Sequence, residues 1–284
     1  MPKHIRLHRF FLATTFAAIW LAIGAMGAAA EPSSDWVRAE YGQVRLIAAS
    51  EGLNDNGQVI IGVQMRLFKG WKTYWRTPGE TGIPASFDWS GSQNVANADL
   101  RWPAPTRFDE YGSQAFGYKT EVIFPVTIQA QDKGGPVMVA LDLQFGVCRD
   151  ICMPVEAQLT MPVNQTSTTE TPHARHIARF ERKVPLSSAD SPIQIERARY
   201  DSKSERVIVD LSGPDKMIAP DVVLELPAGF AQQAPTVKLE GDHATVEIPV
   251  LIDPSEGGLV GRAISIVAWD KGRRAVEKLV TIAP

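Results

Sequence analysis

From residue 35 to the C-terminus, no stretch of twelve or more residues keeps a clean helical period. In its place come short runs of five to ten residues, broken by Gly, Pro, Asn and Asp. "VRLIAAS" gives way to "NDNGQ" and then to "VIIGVQMRLF"; "VIFPVTIQA", "PVMVALDLQF" and "VEAQLTMPV" follow. Runs of this length, enriched in β-branched residues and closed by turn formers, specify strands. The pattern predicts an all-β fold built as a β-sandwich.

The pattern is interrupted once. In residues 164–192, "NQTSTTETP" is polar and has the character of a linker, and "HARHIARFERKVP" predicts one short helix stopped by Pro185. From residue 193 seven runs resume, from "IQIERARY" to "AVEKLVTIAP", enough for a second small β-sandwich. The chain beyond residue 30 is also longer than the roughly 100–150 residues of a common domain. The expected organisation is a first sandwich over 31–163, a linker with a short helix over 164–192, and a second sandwich over 193–284.

Residues 1–30 differ from both. Lys3, Arg6 and Arg9 precede the uncharged run "FLATTFAAIWLAIGAMG", and Ala28 and Ala30 stand before Glu31. A basic segment, an apolar segment and small residues at a cleavage site make a secretory signal peptide. An uncleaved membrane anchor is the alternative. Export would deliver the rest of the chain to an oxidising compartment where disulfides persist. Net charge is −3 with both signs mixed, and no basic stripe supports nucleic-acid binding.

The sequence contains two cysteines, both in "FGVCRDICMP". As a staple, a bond between Cys148 and Cys152 closes a loop so short that it stabilises by only roughly 2 kcal/mol. On a helix, positions four apart have Cβ atoms ~5–6 Å apart, too far for a disulfide. Across a tight hairpin the distance suits one. The apolar runs on either side predict that hairpin, with Arg149, Asp150 and Ile151 as its loop. The bond would then sit at a tip within reach of a partner thiolate. Arg149 would favour a thiolate and Asp150 would oppose it. Structural zinc needs four ligands, more than two cysteines supply. Cys148, Cys152 and Met153 are soft ligands suited to Cu(I), so a copper module is the alternative to thiol–disulfide exchange. His173 and His176 share a spacing that fits one helix face, more often a solvated face than a metal site.

"CRDICMP" resembles the cysteine loop of the periplasmic N-terminal domain of the DsbD thiol:disulfide interchange family, and most the subgroup related to ScsB. The likeness extends over much of residues 35–163. "FKGWKTYWRTPGETGIP" is similar to the family's Lys-Gly-aromatic segment ending in a Tyr, and "LRWPAPTRFDEYG" with "GYKTEVIFPVTI" to its acidic-pair loop and following strand. The resemblance implies an immunoglobulin-like fold and a redox pair, Cys148 and Cys152. It implies supporting roles for Asp109, Glu110 and Tyr74. Best-known members place five residues between the cysteines, where this chain has three, and a Phe before Tyr-Gly, where this chain has none. Phe108 and Tyr111 are therefore the candidate aromatic cap. The resemblance further implies a periplasmic location, no cofactor, thioredoxin-like partners, and activity as a protein-disulfide reductase or interchange component. Full-length members continue into a membrane domain and a thioredoxin-like domain, so the expected electron donor is a membrane protein encoded separately. The second sandwich is open to an adaptor role.

Overall fold

The computed structural model describes residues 32–110, 112–165 and 167–284. The expected signal peptide and Tyr111 lie outside the described residues. Among the described residues there are twenty strands and one helix.

The first sandwich is made of β1 (Val37–Ala39), β2 (Gly42–Ala48), β3 (Gln58–Leu67), β4 (Lys72–Gly79), β5 (Ser86–Asp88), β6 (Val95–Leu100), β7 (Thr106–Glu110), β8 (Ser113–Lys119), β9 (Glu121–Ala130), β10 (Val137–Cys148) and β11 (Cys152–Val163). One sheet runs β1-β2-β3-β9-β6; the other runs β11-β10-β4-β8-β7, with β5 on β10. Alternation of period two puts Leu46, Ile61 and Val126 of the first sheet, and Val139, Leu141 and Leu159 of the second, into one buried core. Each such side chain contributes roughly 1.5–3 kcal/mol when taken out of water.

Three strands of the second sheet carry no clear sequence signal. β4 lies within "KGWKTYWRTPGETG", where aromatics fall on both faces and no alternation shows. Thr73, Tyr74 and Trp75 are all buried because both faces of this strand are covered. β7 and β8 are short and join at a turn through Gly112.

The helix α1 (Ala174–Glu181) lies on β9 and buries Ile177 and Phe180. Beyond it come β12 (Leu186–Ser187), β13 (Gln194–Asp201), β14 (Arg206–Ser212), β15 (Asp221–Glu225), β16 (Phe230–Gln232), β17 (Thr236–Glu240), β18 (His243–Ile252), β19 (Ala263–Trp269) and β20 (Val276–Thr281). They form a sheet β12-β20-β19-β15 and a sheet β13-β14-β18-β16, with β17 also on β18. Val207, Val209, Val246 and Ile248 meet Val222, Leu224 and Ile266 in a second core.

The described residues of both sandwiches form one compact unit. Val223, Val267 and Ala275 of the second sandwich are buried in the core of the first, with Trp269 packed against them. Among the described residues no helix is long and apolar enough to cross a membrane.

Candidate functional site

β10 and β11 form one unbroken antiparallel ladder, from Val137 opposite Val163 to Cys148 opposite Cys152. Arg149, Asp150 and Ile151 make the connecting loop, closed by Arg149 N–H donating to the Ile151 carbonyl at 3.4 Å. Directly opposed positions bring the two cysteine Cα atoms to 4.2 Å, and the sulfurs are bonded.

Which face holds the bond follows from the pleat. Val139, Leu141, Leu143 and Val147 point into the sandwich. Cys148 therefore points outward, with Gly146. There it meets Tyr74 of β4, Phe108 of β7 and Ala115 of β8 in a small separate core, with Cys152 packed at its margin. Tyr74 is fully buried and Cys148 is 2% exposed. Cys152 is half-buried. Residues 80–83 cross over this core in backbone contact. A Cβ on Gly82 would come within 2.5 Å of the Tyr74 ring, and one on Gly146 within 2.6 Å of Ile83 Cβ.

The polar groups converge on Cys152. The Tyr74 hydroxyl is 3.3 Å from Cys152 Sγ and, with the sulfur in a disulfide, is the donor. The Thr81 carbonyl oxygen is 3.8 Å from the same sulfur. Thr81 Oγ1 donates to Glu110 Oε2 at 2.8 Å. Lys72, opposite Cys148 in the β4–β10 register, forms an ion pair with Glu110. Burial, and after it the Glu110 charge, hold the Tyr74 hydroxyl well above its ordinary pKa, so it stays protonated. Lys72, Thr81, Glu110 and the two cysteines border a cleft of ≈ 360 Å³ that also touches Asp109, Arg149 and Asp150.

Of the residues singled out in the sequence, Cys148, Cys152, Tyr74, Phe108 and Glu110 are brought together. Asp109 reaches the cleft, but its oxygens accept from Gly112 N–H at 3.2 Å and Gln114 Nε2 at 3.3 Å, so they hold the turn. Phe108 packs beside Cys148 and under the amines of Lys119 and Lys72, 4.7 and 5.6 Å from its ring centre. Arg149 pairs with Asp150 at 2.9 Å and lies over Trp71, which stacks on Tyr41. Met153 follows Cys152 in β11 and leaves the opposite face, away from the two sulfurs. His173 is buried at the start of α1 and His176 is exposed. Among the described residues no group of three or more His, Cys, Asp or Glu is placed to hold a metal ion. Lys72 and Thr81 were not legible as site residues. Lys72 stands two before Tyr74, hence on its face, a relation visible only once that segment is known to be a strand.

Residues 43–164 match the family model described as "Thiol:disulfide interchange protein DsbD, N-terminal". Residues 183–284 match a "Domain of unknown function (DUF8393)". Among solved structures, the N-terminal periplasmic domain of ScsB from Proteus mirabilis aligns with a TM-score of 0.73 at 26% identity. That alignment covers 89% of this chain and 100% of the other, a share that takes in both sandwiches. The C-terminal 282-residue fragment of intimin, solved with the intimin-binding domain of its translocated receptor, aligns at TM-score 0.20 and 11% identity over 86% of this chain and 64% of that one, and carries no argument. No curated protein matches in sequence. The similarity and the cysteine pair together make residues 43–164 a domain of the thiol–disulfide interchange kind.

Proposed function

We propose that this chain, which carries a DsbD N-terminal domain over residues 43–164 in a ScsB-like setting, relays reducing equivalents through Cys148 and Cys152. One observation carries the mechanism: Cys152 is half-exposed at a cleft with a hydroxyl donor on its sulfur, while Cys148 is buried behind it. Cys152 is then the sulfur that partners meet.

In the oxidised chain an incoming thiolate attacks Cys152 Sγ. The Cys148–Cys152 bond breaks, and Cys148 leaves with the electron pair and takes up a proton. The donor's second thiolate then attacks the donor's own sulfur in the mixed disulfide and releases Cys152. The donor departs as a disulfide and the chain is left as a dithiol, two electrons richer. Delivery reverses the sequence: the Cys152 thiolate attacks the acceptor disulfide, and Cys148 resolves the intermediate.

Neighbouring residues have defined parts in this reading. The neutral Tyr74 hydroxyl stabilises negative charge as it appears on Cys152. Glu110, fixed by Lys72 and Thr81, keeps the tyrosine hydroxyl protonated through its charge. Phe108 keeps water from Cys148. Exposed Ile151 at the loop tip and Ile83 beside the cleft offer apolar contact to a docking protein.

The acceptors on this reading are thioredoxin-like proteins, the donor is a membrane protein encoded separately, and the compartment is the periplasm, reached through the signal peptide at residues 1–30. The ScsB relative is a periplasmic domain, which supports that location. Reduced chain mixed with an oxidised thioredoxin-fold protein should convert it to the dithiol at one equivalent, followed by maleimide gel shift. No transfer, where dithiothreitol reduces the same protein, would remove the relay. Cu(I) holding is the weaker reading, since Met153 leaves the wrong face. An anaerobic titration showing tight one-equivalent binding, lost in Cys148→Ser, would restore it.

A further inference from the structure

The second sandwich turns one face toward the strands that carry the cysteine site. On β15, Val222 and Leu224 enter its own core, while Asp221, Val223 and Glu225 point the other way. Val223 and Val267 are buried in the core of the first sandwich. Two arginines cross the same boundary. Arg76 of β4 pairs with Glu225 and Glu277 and lies over the Trp75 ring, 4.6 Å from its centre. Glu277 is held in turn by the Ser265 hydroxyl at 2.9 Å. Arg107 of β7 donates to Asp221 at 2.9 Å and to the Val222 carbonyl at 2.6 Å, with Phe116 beneath it.

Both arginines sit beside site residues. Arg76 is two positions after Tyr74 in the chain, and Arg107 precedes Phe108. The β4–β8 ladder lapses between Tyr74 and Gly79, just where the chain climbs into residues 80–83 over the sulfurs. Arg76 is in that lapse, tied to the second sandwich instead of to β8. A cleft of ≈ 260 Å³ lies between the following Thr77–Glu80 stretch and Leu226 and Phe230.

We infer that Arg76 and Arg107 are positioning residues for the cysteine site, and that the second sandwich acts as its brace, holding through Glu225, Glu277 and Asp221 the segments from which Tyr74 and Thr81 reach Cys152. This rests on the exchange reading above. A hydroxyl-to-sulfur contact at 3.3 Å weakens steeply with displacement, so play in β4 is felt at Cys152 before the fold gives way.

The test uses the whole chain with changes confined to the second sandwich: Asp221→Asn, and the double Glu225→Gln/Glu277→Gln. In the reduced protein, the pH midpoint for alkylation of Cys152 should rise by about one unit, roughly a tenfold loss of thiolate below the midpoint. The equilibrium with dithiothreitol should move several-fold toward the disulfide. A merely structural contact would lower the melting temperature and leave midpoint and equilibrium at wild-type values, and that result overturns the brace. If the double variant does not fold, Asp221→Asn alone bears the same expectation. If the wild-type disulfide resists dithiothreitol altogether, the exchange reading falls first, which separates the two failures.

Discussion

Replacing Tyr74 by Phe removes one oxygen from the site and leaves the ring in its buried cluster. The oxygen lost is the donor 3.3 Å from Cys152 Sγ. Against a neutral sulfur such a bond is worth about 1 kcal/mol net, and against a thiolate about 1.5–3 kcal/mol. The difference, about 0.5–2 kcal/mol, at 1.36 kcal/mol per pH unit should raise the Cys152 thiol pKa by about 0.5–1.5 units. Rate falls by less than thiolate population does. A more basic thiolate is a better nucleophile, with a Brønsted slope near 0.4–0.5, so attack by Cys152 should slow only about 2–8-fold at a fixed pH below the midpoint. Folding stability should change by less than about 1 kcal/mol, because Glu110 keeps Lys72 and Thr81. The assay is iodoacetamide alkylation of reduced protein across pH, with mass spectrometry separating Cys148 from Cys152, beside a urea melt of the oxidised form. An unchanged Cys152 midpoint would refute the hydroxyl's role. A large loss of stability would show that Tyr74 acts through packing.

Phe108→Ala should cost roughly 3 kcal/mol in urea unfolding, the usual scale for emptying a buried aromatic site, and make Cys148 alkylate faster in the reduced state. Stability should fall as pH rises above about 10. Tyr74 and Tyr118 have folded-state pKa values raised above the ordinary 10.0, by burial first in both, so their contribution is complete below that value and is lost as pH climbs through the raised ones. Thermal melts in alkaline buffers should show this, with a shallower fall in Tyr74→Phe. Ile151→Asp should leave reduction by dithiothreitol unchanged and slow exchange with a thioredoxin-fold protein several-fold, as measured by stopped-flow fluorescence. Reducing the disulfide should lower stability by only roughly 2 kcal/mol, the scale for so short a loop, leaving a cooperative melt.

The hairpin was legible because its two flanking runs are long and alternate cleanly, and because sulfurs four apart in sequence can bond only where the chain turns back. The rest of the site was harder. Tyr74 and Glu110 came from the family likeness, not from periodicity. Lys72 and Thr81 needed the knowledge that β4 lies between β10 and β8, neither of them its neighbour in sequence. The outer-face core was hidden for the same reason: its members come from four strands, and one-residue errors in any register would turn them to the other side. The second sandwich was legible as strands, since its runs alternate, but not as a brace. Val223 and Val267 look like ordinary strand residues until their neighbours are seen to fill a different core.

The central claim is that partners meet Cys152 and not Cys148. The most direct measurement is mixed-disulfide trapping with an oxidised thioredoxin-fold protein, comparing two single variants on non-reducing gels. Cys148→Ser keeps the exposed sulfur and lacks the resolving one, so it should accumulate the covalent complex. Cys152→Ser keeps only the buried sulfur and should form little. Equal trapping by both, or trapping by Cys152→Ser alone, would contradict the account.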